Sequence, residues 1–224
     1  MFSSLNASGY KYSSTYRSVE FEHILSGIIT CYNTMQSEKV SVMNNENGIR
    51  DKILNDYLKK EHYKQQFKLS GYLFDPELPE NEGRIDIRVM PIYTFINDDA
   101  YYIFECKRLD ATNQKGTSGL NGEYISEGIC RFVTSKYSSY YNTNGMIGFV
   151  VQPMSIHKNT DCINGLLSNQ SFQTHTKLSL QYRKIVDNFD YSYFSVHNAG
   201  KQEIIIYHLM MDFSKNIPAR ATNH

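Results

Sequence analysis

Apolar residues recur at helical spacing in the first part of the chain. Between residues 21 and 35 they fall every three or four positions, which predicts one amphipathic helix. Asn44 and Asn45 can cap a second helix, whose apolar positions run over 49–58. The pattern then predicts a strand around 67–74, followed by a turn-rich acidic stretch over 75–83 that contains two prolines.

Two strands are predicted in the middle of the chain. Residues 84–90 alternate, with Ile85, Ile87 and Val89 on one face and charged residues on the other. One face of this strand should therefore pack while the other meets solvent or substrate. The next strand, 101–107, is apolar and aromatic until it ends in charged residues.

A crossover follows these strands. A turn at 97–99 precedes the strand that ends at residue 107, and a glycine-containing loop over 108–122 follows it. A helix over about 123–137 leads to 146–151, an almost wholly apolar run typical of a strand buried on both faces. A strand–helix–strand connection of this kind predicts parallel neighbours. Weaker patterns predict a short helix and three further strands, over 163–167, 177–182, 191–196 and 203–211.

Composition bears on the size of the folded core and on how the chain could bind nucleic acids. The chain has 224 residues, of which 41% are hydrophobic and 21% charged, so one sizeable folded core is expected. Lys and Arg number 23, as do Asp and Glu, and the formal net charge is zero. Because contacts to phosphates dominate affinity for nucleic acids, a neutral chain must concentrate its basic residues locally or borrow them from a partner.

The cysteines and the N-terminus bear on the cellular compartment of the protein. The four cysteines lack the short spacings of zinc or redox motifs, which predicts reduced thiols. Residues 1–16 contain no apolar run of a signal peptide, and no stretch reaches the length of a membrane span. We therefore expect a cytoplasmic protein that does not contact a membrane.

The best candidate chemistry lies where the 101–107 strand ends, in Glu105-Cys106-Lys107, with Asp86 on the strand before it. Since alternate side chains of a strand point to opposite faces, Glu105 and Lys107 share a face that borders a cleft, and Cys106 packs into the core. Two carboxylates can hold a hard divalent cation, and an adjacent ammonium can stabilise developing charge. This is what a metal-dependent phosphodiesterase requires.

The order of these elements resembles the PD-(D/E)xK superfamily, the restriction-endonuclease-like nucleases. In this chain a helix, strands bearing Asp86 and then Glu105-Cys106-Lys107, a helix and a strand follow one another. The resemblance implies an α/β fold with a restriction-endonuclease-like core, in which a mixed central β-sheet is flanked by helices in the order αβββαβ. One departure from the motif is Ile85, which stands where proline would precede the aspartate.

The resemblance also implies how the chain is organised. It covers residues 44–152, about half of the chain. Residues 1–43 would form an N-terminal tail and helix, and 153–224 a β-rich C-terminal extension of the same sheet. We therefore expect a single nuclease-like domain over 1–224.

Roles follow from the same resemblance. Asp86 and Glu105 match the metal-binding carboxylates, Lys107 matches the catalytic lysine, and Glu46 matches a further acidic residue on the preceding helix. The backbone carbonyl of Cys106 offers another hard oxygen ligand. The implied cofactor is Mg²⁺, with Mn²⁺ as a substitute, and the implied activity is hydrolysis of DNA phosphodiester bonds, as an endonuclease. A homodimer or a partner protein would supply additional DNA affinity.

Substrate contacts are expected from the loop and helix that follow the motif, since loops carry phosphate contacts and this helix borders the cleft in relatives. The candidates are Lys115, Thr117, Ser118, Glu123 and Tyr124.

Purely structural roles for the same residues stay open beside the catalytic ones. Glu105 and Lys107 would form an ion pair on a solvated strand, with Asp86 paired to Arg84 or Arg88. Glu46 would favour the helix dipole or pair with Arg50, and Glu127 with Arg131 would form a surface stripe. The whole fold would then be a catalytically inactive nucleic-acid-binding or assembly module.

Overall fold

The computed structural model describes most of the chain. The predicted turn at 97–99 and most of the N-terminal tail lie outside the residues that it describes. The described residues are 13–80, 83–92, 100–134, 136–138 and 140–218.

The described residues contain six α-helices and seven β-strands. The helices are α1 (Ser13–Ser37), α2 (Glu46–Ile53), α3 (Glu61–Gln66), α4 (Leu120–Tyr124), α5 (Cys130–Val133) and α6 (Ile156–Leu167). The strands are β1 (Tyr72–Glu80), β2 (Gly83–Pro91), β3 (Tyr102–Leu109), β4 (Thr143–Val150), β5 (Thr176–Tyr182), β6 (Ser192–Ala199) and β7 (Gln202–Asp212). Shorter turns are the π-helical segments Leu54–Leu58 and Ile125–Ile129 and the 3-10 turn Gln170–Phe172.

All seven strands lie in one mixed sheet, in the order β1-β2-β3-β4-β7-β6-β5. Strand β4 is parallel to both of its neighbours, β3 and β7, whereas the remaining pairs are antiparallel. The parallel pairing of β3 with β4 confirms the crossover predicted from the sequence. All eight residues of β4 are buried, as its apolar run indicates.

Helices cover both faces of the sheet and create two hydrophobic cores. The first core joins α1 and α2 to one face, where Phe104 and Cys106 of β3 point. The second core joins the α4–α5 segment and α6 to the other face, which includes Ile103 and Leu109. Successive residues of β3 therefore serve opposite cores, as the period-two pattern predicts.

The predicted N-terminal helices are confirmed, but the first strand is displaced. Phe67 and Leu69 are buried, although they follow α3 and precede the strand, which begins at Tyr72. The stretch that the sequence marks as a turn is most of β1 itself. Its prolines are tolerated because β1 is an edge strand, where an amide donor can be missing without breaking a ladder.

The helix after the motif begins and ends earlier than predicted, since it runs from Leu120 to Val133 with a π-helical turn in its middle. Near its start the helix packs closely against the preceding loop at Gly122, where an added Cβ would lie 1.9 Å from the carbonyl oxygen of Thr117. The predicted C-terminal helix and strands are all present, and the helix, α6, is longer than its pattern suggests.

Two other sequence expectations concern thiols and membranes. The four cysteines form no disulfide, and Cys31 and Cys106 are buried. Within the described part of the chain, no helix combines the length and the apolarity needed to cross a bilayer.

We expect a methyl group at Gly122 to be far more damaging than one at Gly165. In Gly122→Ala the new Cβ meets backbone that cannot move without the loop, so unfolding should become easier by about 1–3 kcal/mol. Gly165 lies in α6 with open space around it, so Gly165→Ala should stabilise the protein by about 0.5–1 kcal/mol. Urea denaturation of both variants measures the difference, and equal midpoints would contradict the packing described.

Candidate active site

The site begins where strands β2 and β3 separate. They pair only over residues 87–89 and 102–104, and beyond these the Cys106 N–H donates instead to Oδ2 of Asp86 at 2.7 Å. A carboxylate thus satisfies a strand amide that the neighbouring strand does not reach. The alternating pattern of β2 predicted that Ile85 and Ile87 share a face, and this was wrong. Ile85 packs in the second core, whereas Ile87 packs in the first.

Glu105 is the most buried charged group of the site, with no solvent exposure. Its Oε1 accepts hydrogen bonds from Lys107 Nζ at 2.8 Å and from Arg131 Nη1 at 2.9 Å. Its Oε2 accepts one from the Tyr137 hydroxyl at 2.8 Å. A buried carboxylate is tolerated only when such partners compensate its lost hydration. Glu105 and Lys107 are therefore an ion pair inside the protein, covered by the α4–α5 segment, and not one on a solvated strand.

Lys107 lies among three oxygens of the predicted metal site. Its Nζ donates to Glu105 Oε1 at 2.8 Å, to the Cys106 carbonyl at 2.9 Å and to Glu46 Oε1 at 3.2 Å. The other oxygen of Glu46 accepts the backbone N–H of Arg108 at 3.2 Å. Helix α2, which Asn45 caps, thus places Glu46 beside the end of β3 as the sequence predicts.

Asp86 has a different cationic partner from those that the sequence offered. Its Oδ1 accepts from Arg50 Nη1 at 3.0 Å, and Arg50 is only 2% exposed. The same guanidinium binds Asp51 at 2.8 Å and Glu77 at 2.9 Å. Arg50 therefore joins α2 to both β1 and β2, and so links the element that carries Glu46 to the strand that carries Asp86.

The alternative ion pairs considered for Asp86 and Glu46 are not found. Arg84 pairs with Glu77 and Arg88 with Asp75, so neither binds Asp86. Glu46 pairs with Lys107 and not with Arg50, its neighbour one helical turn away. The motif carboxylates and the helix carboxylate are therefore brought to one place in the fold.

The chain between α2 and the start of α6 matches a known family. Residues 59–154 match the family model described as the PD-(D/E)XK nuclease superfamily. The expected resemblance is confirmed. The matched segment contains Asp86, Glu105 and Lys107, whereas Glu46 precedes it, and the match indicates nuclease activity. No curated protein and no solved structure gives a match to the chain.

The donors of the PD-(D/E)XK motif suit a hard divalent cation. They are carboxylate and carbonyl oxygens, and the Cys106 thiol points away into the first core. Over the described residues, however, no three His, Cys, Asp or Glu side chains form a cluster able to hold a metal. The contacts explain this, because Lys107 stands between Glu46 and Glu105 while Arg50 holds Asp86.

Burial and neighbouring charges both shift the pKa values of Glu105 and Lys107. Burial, followed by the charge of Asp86, raises the pKa of Glu105 to about 7, against the opposing effect of Lys107 and Arg131. Burial alone would lower the pKa of Lys107, but the charges of Glu105, Glu46 and Asp86 outweigh it and hold that pKa above its ordinary value. The ammonium is therefore charged at neutral pH.

The expected substrate contacts are not all accessible. Lys115, Thr117, Ser118 and Glu123 are exposed, and Glu123 lines the same surface pocket as Glu46. Lys115 lines a different pocket, which faces α6. Tyr124 is fully buried, and its hydroxyl lies 2.8 Å from His208 Nδ1, so the structure does not support it as a substrate contact.

Three residues that hold the PD-(D/E)XK carboxylates were not assigned this role from sequence. Arg50 and Arg131 each have a carboxylate one helical turn away, which favoured a local ion pair on the helix surface. Arg131 does bind Glu127, at 3.1 Å, but it also reaches Glu105. Tyr137 follows the helix in a turn, and no sequence pattern distinguishes it from the other 17 tyrosines.

We expect Arg50→Met to destabilise the protein by about 3–5 kcal/mol, because a buried guanidinium with three carboxylate partners is lost while their charges stay. Arg183 offers a matched control, since it is half-exposed and pairs with Glu22 on the surface. Arg183→Met should cost less than about 1 kcal/mol. Chemical denaturation at pH 7 measures both, and similar losses for the two variants would refute the structural role of Arg50.

Proposed function

We propose that the protein is a Mg²⁺-dependent nuclease that hydrolyses DNA phosphodiester bonds, as an endonuclease. In this proposal the αβββαβ run is a restriction-endonuclease-like core, and the chain is a single nuclease-like domain. The observation that carries the proposal is the position of Lys107 Nζ among Glu46, Glu105 and the Cys106 carbonyl. A positive charge is already held there by hard oxygens, within a segment that matches a nuclease family.

Each residue then has a defined task. Asp86, Glu105, the Cys106 carbonyl and Glu46 would hold the cation. When bound, Mg²⁺ supplies a more acidic water and neutralises charge on the phosphate oxygens. Lys107, displaced from its position between the carboxylates, would orient the attacking water or stabilise charge on the phosphate.

Four further groups would keep the carboxylates of Glu105 and Asp86 in place. Arg131 and Tyr137 fix both oxygens of Glu105, and Arg50 with the Cys106 N–H fixes both oxygens of Asp86. Such fixed partners reduce the reorganisation that catalysis would otherwise require.

The charge balance of the site supports a divalent ion. Once Glu105 is ionised, the ion pairs around the site, which form two separate networks, together contain two more negative than positive side chains. The negative members are Glu46, Asp51, Glu77, Asp86, Glu105 and Glu127, and the positive members are Arg50, Arg84, Lys107 and Arg131. One divalent cation would neutralise this excess.

The second candidate is a catalytically inactive nucleic-acid-binding or assembly module. It is favoured by one observation, that Asp86, Glu105 and Glu46 each already have a cationic partner. Titration with Mn²⁺ separates the two candidates, because an inactive module should bind Mn²⁺ no better than its Asp86→Asn variant.

We expect Glu105→Gln and Lys107→Met to lower the rate of Mg²⁺-dependent plasmid nicking at least about 100-fold, since each removes a group placed at the reacting phosphate. Lys107→Met should at the same time bind Mn²⁺ more tightly than the wild type, because an internal competing cation is gone. Cleavage of supercoiled plasmid, linear duplex and single strands measures the first effect, and titration calorimetry measures the second.

The control for lost charge is Lys177→Met, since Lys177 pairs with Glu203 at the opposite edge of the sheet. This variant should cleave and bind Mn²⁺ like the wild type. Wild-type rates in both Glu105→Gln and Lys107→Met would exclude the proposed active site.

Cleavage should also depend on pH through Glu105. Its pKa in the folded protein is raised to about 7, so below that pH the carboxyl is increasingly protonated and cannot hold a cation. At subsaturating Mg²⁺ the rate should therefore fall about tenfold per unit below pH 7 and level off above it. Replacement of the exposed Glu123 by Gln should leave this profile unchanged. A rate independent of pH between 5.5 and 7 would contradict the assignment.

A further inference from the structure

Arg108 differs from the other arginines whose side chains the structure describes. Each of the five others forms an ion pair with at least one carboxylate, as the contacts of Arg50, Arg84, Arg88, Arg131 and Arg183 show. Arg108 has no carboxylate partner within the described part of the chain. Its guanidinium is therefore a charge that the described residues do not neutralise.

The position of Arg108 is next to the proposed active site. It follows Lys107 in β3, and its backbone N–H donates to Glu46. Its side chain points away from Lys107, and the residue lines two surface pockets. One, of about 420 Å³, also contains Glu46 and Glu123 in its wall, and the other contains Asn44. The free cation and the proposed metal ligand thus face the same opening.

The contacts that Arg108 does make are weak. Its Nη1 lies 3.3 Å from the carbonyl oxygen of Asn44 and 3.4 Å from that residue's side-chain oxygen, longer than the usual range for such bonds. A guanidinium has five N–H donors arranged as a planar fork, so most of its capacity is unused. The fork matches two oxygens of one phosphate group.

We propose that Arg108 binds a backbone phosphate of the nucleic-acid substrate, beside the phosphate that is cleaved. This inference rests on the proposed nuclease function. It accounts for how a chain of zero net charge would hold DNA close to three site carboxylates. The affinity would come from a basic residue next to the site that has no carboxylate partner among the described residues.

The test is the salt dependence of DNA binding by the full chain in the presence of EDTA. The slope of log affinity against log salt concentration measures the phosphates that are neutralised, at about 0.9 per contact on duplex DNA. Arg108→Gln should reduce the slope by about one and weaken binding equally for two fluorescent duplexes of unrelated sequence. Arg108→Lys, which retains the charge, should keep the wild-type slope.

The matched control is Arg183→Gln, which removes the same charge from a surface ion pair with Glu22 and should not change the slope. A wild-type slope in Arg108→Gln overturns the inference, as does a loss that depends on sequence or appears equally in Arg183→Gln. The proposed function fails separately, if the wild type neither binds these duplexes nor cleaves them in Mg²⁺. Melting temperatures show whether Arg108→Gln is folded, and Arg108→Lys keeps the test decisive if it is not.

Discussion

A carboxylate without solvent exposure, that of Glu105, is the constraint on which the site depends. Removing such a charge from water is unfavourable by several kcal/mol unless hydrogen-bonding partners replace its hydration. Lys107, Arg131 and Tyr137 are those partners, and they come from the strand itself, from α5 and from the turn after it. The hydrogen bonds of one buried group therefore join the covering helix to the sheet.

The second constraint is the separation of β2 from β3, which leaves the Cys106 N–H to be satisfied by Asp86. That hydrogen bond and the ion pair with Arg50 occupy both oxygens of Asp86. The internal partners have two opposing effects on the proposed function. They hold the carboxylates in fixed positions, which favours catalysis, but Lys107 and Arg50 also occupy lone pairs that a metal would need. In the proposed function, binding of a cation would therefore be coupled to movement of Lys107.

Much of this fold follows from local pattern, and the site follows in part. Strand β4 could be predicted because its continuous apolar run suits burial on both faces. Strand β3 could be predicted because its successive residues face the two cores in turn. Glu105, Lys107 and Glu46 were brought together as expected, since strand alternation and helix position decide where they point. Arg50 and Tyr137 could not be found this way, because their partners lie 36 and 32 residues away and no local rule joins them. The displaced start of β1 has a related cause, since Phe67 and Leu69 are buried by tertiary packing outside any strand.

In the proposed function, the charge distribution couples binding of the cation to binding of the substrate. The ion pairs of the site leave an excess of negative charge, so a phosphate that approaches without a cation meets Glu46 and Glu123 in the same pocket. A bound divalent ion would reverse that repulsion, and Arg108 would attract the phosphate from the pocket wall whether or not a cation is bound. Since coupling between two binding events is reciprocal, DNA would strengthen cation binding by the same factor as the cation strengthens DNA binding. In a chain with no net charge, this coupling would be the physical means by which DNA binding is confined to the proposed cleavage site.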